Sequence, residues 1–125
     1  MVFHVDFNEL PVARSVRVLQ GDTYCEPYEL KLNDAVLDLT GATITLAVRR
    51  APGRGAVVAK HEIAADNAVA GTFTAVVAAG DTAQMLGEHW YEVEIAWAAG
   101  SPAFADGCVK TVVAGGFSVY EDALH

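Results

Sequence analysis

Apolar and polar residues alternate along much of this 125-residue chain. The pattern is clearest in residues 42–50 (ATITLAVRR) and 89–98 (HWYEVEIAWA). A period of two places the apolar side chains on one face of a β-strand and the polar ones on the other. Turns rich in Gly, Asp and Pro separate these segments. We therefore expect an all-β fold of packed strands, without a substantial helical layer.

Size and composition suit one globular domain. The chain is 53% hydrophobic and 19% charged, which is too apolar for a disordered segment. No basic region followed by an apolar run marks a signal peptide, and no apolar stretch is long enough to span a bilayer. We expect a protein that is made in the cytoplasm and does not enter a membrane.

The charge balance bears on partners. Eight Lys and Arg stand against 16 Asp and Glu, which gives a formal net charge of −8. Such a chain repels phosphate backbones and anionic lipid surfaces, so neither nucleic acid nor membrane is expected as a partner. A basic protein surface remains compatible with this charge.

Residues 1–13 are expected to form an N-terminal arm or edge strand, and residues 14–125 the main domain. Phe3, Val5 and Phe7 share one face of the arm, and Pro11 interrupts it. The arm can pack on its own domain or on a neighbouring subunit. One short helical turn is expected near 82–86, and a bulge or bend at Gly115-Gly116.

Residues with reactive side chains are scattered. His61 lies between Lys60 and Glu62, but neighbours on a strand point to opposite faces and do not converge. Cys25 and Cys108 lack zinc-site spacing, and we expect two free, mostly buried thiols. The sequence therefore predicts no catalytic residue, no metal site and no cofactor.

Two surface features remain as interface candidates. By parity Trp90 points away from the face that carries Tyr91, where it can anchor a protein, stack on a sugar or lie under a loop. Arg49, Arg50 and Arg54 flank a Gly-containing loop in an otherwise acidic chain. They form either a solvated loop or a docking point for an acidic patch on another copy.

Several short motifs follow one another in a familiar order. They are QGDT (20–23), DLTGATI (38–44), VRR (48–50), GTFT (71–74), GEHWYEVEI (87–95) and GGFSV (115–119). Taken together over residues 14–121, they resemble the small immunoglobulin-like domains of tailed-phage particles, typified by the N-terminal domain of baseplate upper proteins. The resemblance carries over no catalytic residues.

The resemblance implies an all-β, Ig-like antiparallel β-sandwich of seven to nine strands. It also implies a phage or prophage structural protein of a tail, baseplate or fibre-attachment region. Such a protein is made in the bacterial cytoplasm and ends in the virion. Its partners would be other virion proteins and copies of itself. Independently of the resemblance, the shared face of Phe3, Val5 and Phe7 makes the N-terminal arm the best candidate to add to a neighbour's edge. The alternatives are a carbohydrate-binding module that uses Trp90, and a head–tail connector or accessory subunit.

Overall fold

The computed structural model describes residues 2–52 and 55–121. Within them the chain forms two β-sheets, a 3-10 turn (Phe7–Glu9) and one short helix, α1 (Ala79–Thr82). The strands in chain order are β1 (Phe3–Asp6), β2 (Val12–Ala13), β3 (Val16–Leu19), β4 (Tyr24–Leu32), β5 (Ala35–Val36), β6 (Ala42–Arg49), β7 (Val57–Ile63), β8 (Ala65–Asn67), β9 (Thr72–Val77), β10 (Gly87–Trp97) and β11 (Cys108–Tyr120). The predicted all-β sandwich is confirmed.

The first sheet, sheet A, has the strand order β1-β4-β9-β8, with β5 also on β4. The second, sheet B, has the order β2-β11-β10-β6-β7, with β3 also on β11. Most neighbours are antiparallel, but β1 lies parallel to β4, and both β2 and β3 lie parallel to β11. The expectation of a wholly antiparallel sandwich is therefore wrong for the N-terminal segment. Its partners are distant in the chain, and only long connections allow parallel pairing.

The core lies between the inward faces of the two sheets. On β10 the residues Tyr91, Val93 and Ile95 are fully buried, and the residues between them are half-buried or exposed. Tyr28 on β4 and Phe73 on β9 stack across sheet A, with ring centroids 5.3 Å apart. Burial of each such side chain stabilises the fold by about 1.5–3 kcal/mol. The alternation in the sequence therefore corresponds to the inner and outer faces of the sheets.

The secondary structure differs from expectation in detail. Within the described residues, eleven strand segments form instead of seven to nine, because two- and three-residue pieces such as β2, β5 and β8 each pair with a longer strand. The helical turn ends at Thr82 rather than beginning there, and a second turn lies at Phe7–Glu9. The Thr82 hydroxyl donates to the carbonyl oxygen of Asp22, 2.7 Å away, which ties α1 to the β3–β4 connection. Thr82 therefore anchors the turn and does not cap its N-terminus.

Only one of the paired glycines of β11, Gly115, lies at a close backbone approach. The strand runs unbroken through Gly115 and Gly116, so the expected bend there is wrong; the bulge lies opposite Val93 and Glu94. A Cβ at Gly115 would stand 2.3 Å from the carbonyl oxygen of Arg14, whose amide donates to the Ala114 oxygen at 3.0 Å. At Gly116 a Cβ would meet nothing within 4 Å. The two glycines therefore have different roles.

Gly115→Ala should destabilise the fold by about 1–3 kcal/mol, because the added methyl group forces two backbones apart. Gly116→Ala is the matched control and should be neutral or slightly stabilising, since its methyl group enters open space. Urea unfolding of both variants measures the difference. Equal stability of the two variants would contradict the close approach of Arg14.

Candidate interaction surfaces

The N-terminal segment is built into the sandwich. Its strand β1 pairs with β4, and Val5 is 0% exposed. Phe3 packs edge-to-face on Tyr28 at 5.7 Å between centroids, and Phe7 packs the same way on Trp97 at 5.8 Å. All three apolar side chains proposed for a neighbour's edge are thus placed in or against the core of their own domain.

A salt bridge joins the two sheets beside this segment. Arg14 leaves sheet B between β2 and β3, and its guanidinium reaches Glu26 on β4 of sheet A. Arg14 Nη2 lies 2.6 Å from Glu26 Oε2, and Arg14 Nε donates to Glu26 Oε1. The guanidinium carbon lies 4.3 Å from the centroid of the Phe3 ring. This Arg14–Glu26 pair has the bidentate geometry in which charge-assisted hydrogen bonds are strongest.

Three tyrosines extend the pair into a network, in which the hydroxyl groups of Tyr24 and Tyr28 lie 3.4 Å apart. The Tyr28 hydroxyl donates to Glu26 Oε1 at 2.9 Å, and the Tyr91 hydroxyl donates to the Arg14 carbonyl oxygen at 2.8 Å. Burial raises the pKa of Tyr24, Tyr28 and Tyr91, so these phenols stay neutral in the fold. The hydrogen bond from Arg14 lowers the pKa of Glu26 and keeps it ionised. The network therefore links the sheets through groups that satisfy one another.

Two grooves flank the Arg14–Glu26 pair. The first, the β3–β4 groove, has a volume of about 380 Å³ and a mainly polar lining. Its walls are residues 14–18 and 23–26. The second has a volume of about 390 Å³ and a more apolar lining, with Val2, Phe3 and His4 on its far side. The ion pair thus separates a polar groove from an apolar one.

Trp90 lies half-buried on β10, between Arg49 of β6 and Gly116 of β11. Arg49 Nε lies 3.0 Å from Glu92 Oε1, so an ion pair stands beside the indole on the outer face of sheet B. Arg50 is exposed directly after the end of β6, and Arg54 lies outside the described residues. The structure therefore brings Trp90 and Arg49 together.

A histidine–aspartate contact spans the opposite side of the sandwich. His61 Nε2 on β7 lies 2.6 Å from Asp81 Oδ2 on α1. An apolar groove of about 260 Å³ runs beside it, lined by Ile63, Val76 and Ala78. His61 and its neighbour Glu62 both line this groove. The sequence gives no sign that Asp81 is the partner of His61. Across residues 2–52 and 55–121, no group of three His, Cys, Asp or Glu side chains is placed to hold a metal ion.

Both cysteines are free thiols. Cys108 is half-buried on β11, but Cys25 is exposed on β4, so the expectation of mostly buried thiols is wrong for Cys25. Cys25 has the opposite parity to Tyr24 and Glu26 and faces away from the core.

In the described segments, no helix has the length and apolar character that crossing a bilayer requires.

Arg14 and Glu26 are not among the site residues that the sequence predicts. One signal was available, because Glu26 interrupts the apolar face that Tyr24, Tyr28 and Leu30 share on β4. A carboxylate on an inward face needs a cation or several donors. Nothing local in the sequence identifies Arg14 as that cation.

Glu26→Gln should destabilise the fold by about 1–2 kcal/mol at neutral pH, because Arg14 loses its charged partner. The folded-state pKa of Glu26 lies below its ordinary 4.5, so its contribution is present above pH 4.5 and is lost as pH falls through the lowered value. Unfolding midpoints measured from pH 7 to pH 2 should fall less steeply in this variant than in the wild type. Glu94→Gln, at an exposed site, should keep the wild-type profile.

Comparison with known proteins gives a structural match without a sequence match. No protein-family model matches the chain, and no curated protein matches its sequence. Among solved structures, the N-terminal domain of phage TP901-1 ORF48 superposes with a TM-score of 0.61 at 14% sequence identity. The match covers 95% of this chain and 96% of that one. At this identity it establishes a shared fold with a phage protein domain.

Proposed function

We propose that the chain is a non-enzymatic structural component of a tailed-phage particle, in its tail, baseplate or fibre-attachment region. It acts by binding other particle proteins and copies of itself, and its final location is the virion. The carrying observation is the fold shared with a phage protein domain along nearly the whole length of both chains.

An immunoglobulin-like class for the sandwich is part of this proposal. The order β1-β4-β9-β8 corresponds to the A-B-E-D sheet of immunoglobulin domains. The order β11-β10-β6-β7 corresponds to G-F-C with the added C′ strand of variable domains. The parallel pairing of β1 with β4 and the free thiols of Cys25 and Cys108 are departures from that pattern.

The best-connected polar cluster supports a structural role. The side chains of this cluster hydrogen-bond to one another and join the two sheets; they are Arg14, Glu26 and Tyr28. The cluster therefore suits a protein that must keep its shape in a large assembly.

Carbohydrate binding is the second candidate. The half-buried ring of Trp90 lies beside the Arg49–Glu92 ion pair, and open space above Gly116 adjoins it. An aromatic face with flanking charged groups is an arrangement that can stack on a sugar ring and bond its hydroxyls. A head–tail connector or accessory subunit is a variant of the structural role that differs only in its location in the particle.

The particle itself provides the first test. We expect the chain to co-purify with tailed particles from the strain that carries its gene, at a fixed ratio to known tail proteins. Quantitative mass spectrometry of particles banded on a density gradient measures this ratio, and immunogold labelling distinguishes tail or baseplate from the head–tail junction. Particles that lack the chain would contradict the structural role.

Trp90→Ala should weaken self-association by about tenfold, because an aromatic anchor is lost from the outer face of sheet B. Val109→Ala is the control, since Val109 is 63% exposed at the far end of the same sheet. Sedimentation velocity over a concentration series measures both variants. A wild-type chain that stays monomeric, together with glycan binding that Trp90→Ala abolishes, would favour the carbohydrate module instead.

A further inference from the structure

The walls of the β3–β4 groove are open strand edges. On one side of β4, strand β9 pairs with Tyr24–Glu29; on the other, β1 pairs only with Tyr28–Lys31. Residues 24–27 are therefore unpaired on the β1 side. Strand β3 pairs with β11 on one edge, and no described strand pairs with its other edge.

We propose that the β3–β4 groove binds an extended segment of another protein chain, which adds to β4 in line with β1. Unpaired backbone N–H and C=O groups on a sheet edge are the usual means of such strand addition. Residues 24–27 span about 13 Å at ~3.3 Å per residue, the length of a short strand. Strand β1 shows that this edge of β4 already accepts a neighbour.

Two features limit what the groove can accept. Pro27 has no N–H to donate, and the Arg14–Glu26 pair stands at one end of the groove. Proline and inward-facing charge are devices that protect sheet edges from indiscriminate pairing. The groove therefore suits a short, defined segment and disfavours edge-to-edge aggregation.

The charge of the groove specifies the partner further. Arg14 is paired with Glu26, whereas Arg17 is exposed and stacks on Tyr120, 4.6 Å from the ring centroid. Within the described segments, no carboxylate lies within ion-pair distance of Arg17. The groove is thus locally cationic in a chain of net charge −8. The fitting partner is an extended segment that places a carboxylate opposite Arg17.

This inference deepens the proposed function and rests on it for the existence of a partner chain. The groove itself is tested with peptides and purified protein, without particles. Failure of the peptide experiment would rule out the groove as a binding site without affecting the result of the particle experiment. Failure of the particle experiment would likewise leave the peptide result valid.

Cys25 is a natural reporter, because it lies in the wall of the groove and is exposed. In a Cys108→Ser background, its reaction rate with a maleimide reports occupancy of the groove. The probes are acetylated eight-residue peptides of alternating Thr and Val, with a central Glu, Lys or Pro. The Glu peptide at ~1 mM should slow the reaction about threefold, as expected for a weak complex, and the Pro peptide should not slow it.

Arg17→Glu should reverse the preference, so that the Lys peptide protects Cys25 better than the Glu peptide. Lys110→Glu is the matched control, since it makes the same charge change at an exposed site near the start of β11. This control should keep the preference for the Glu peptide. Far-UV circular dichroism should show an unchanged fold for both variants.

Three results would overturn the proposal. The first is an unchanged rate with every peptide, and the second is equal protection by the Pro and Glu peptides. The third is protection that grows with protein concentration alone, which would make a second copy the occupant in place of a different chain.

Discussion

The junction at Arg14 is the point on which one side of the sandwich depends. Two packed sheets leave a gap along each lateral edge, and here a single residue, Arg14, contacts both sheets across that gap. The backbone amide of Arg14 donates a hydrogen bond to the carbonyl oxygen of Ala114 in sheet B. Its guanidinium group donates to the carboxylate of Glu26 in sheet A. The bare Cα of Gly115 gives this backbone room, and the Tyr91 hydroxyl satisfies its carbonyl group.

Partial exposure keeps this arrangement energetically favourable. The side chains of Arg14 and Glu26 are 34% and 21% exposed, so neither charge is removed fully from water. A deeply buried pair would lose more in desolvation than it gains from attraction. Here the pair stays hydrated at the mouth of the gap, and the aromatic rings of Phe3 and Tyr28 pack behind it. The ion pair therefore bridges the two sheets at this edge without a large desolvation penalty.

Much of the fold follows from the sequence because alternation is a local property. Strands β6 and β10 lie within a residue or two of their expected bounds. The all-β class requires nothing more, since each apolar face has to be covered by another sheet. The outward parity of Trp90 follows from the same rule, and the Arg49 beside it is found in the structure.

What the sequence does not predict depends on contacts between distant residues. Arg14 and Glu26 come from different sheets, and His61 meets Asp81 from another element. The parallel pairing of β1 has no local signal either. At Gly115 a local rule gave a wrong answer, because the glycine accommodates a backbone that approaches from another strand.

The pairing of β2 and β3 with β11 has a consequence for synthesis on the ribosome. Strand β3 ends at Leu19 and β11 begins at Cys108, so about ninety residues are translated before sheet B can gain its first-made strands. At ~5–20 residues per second the nascent chain spends several seconds with those edges bare. Completion of sheet B is therefore a late event, and β2 and β3 are among the last strands to be fixed in place.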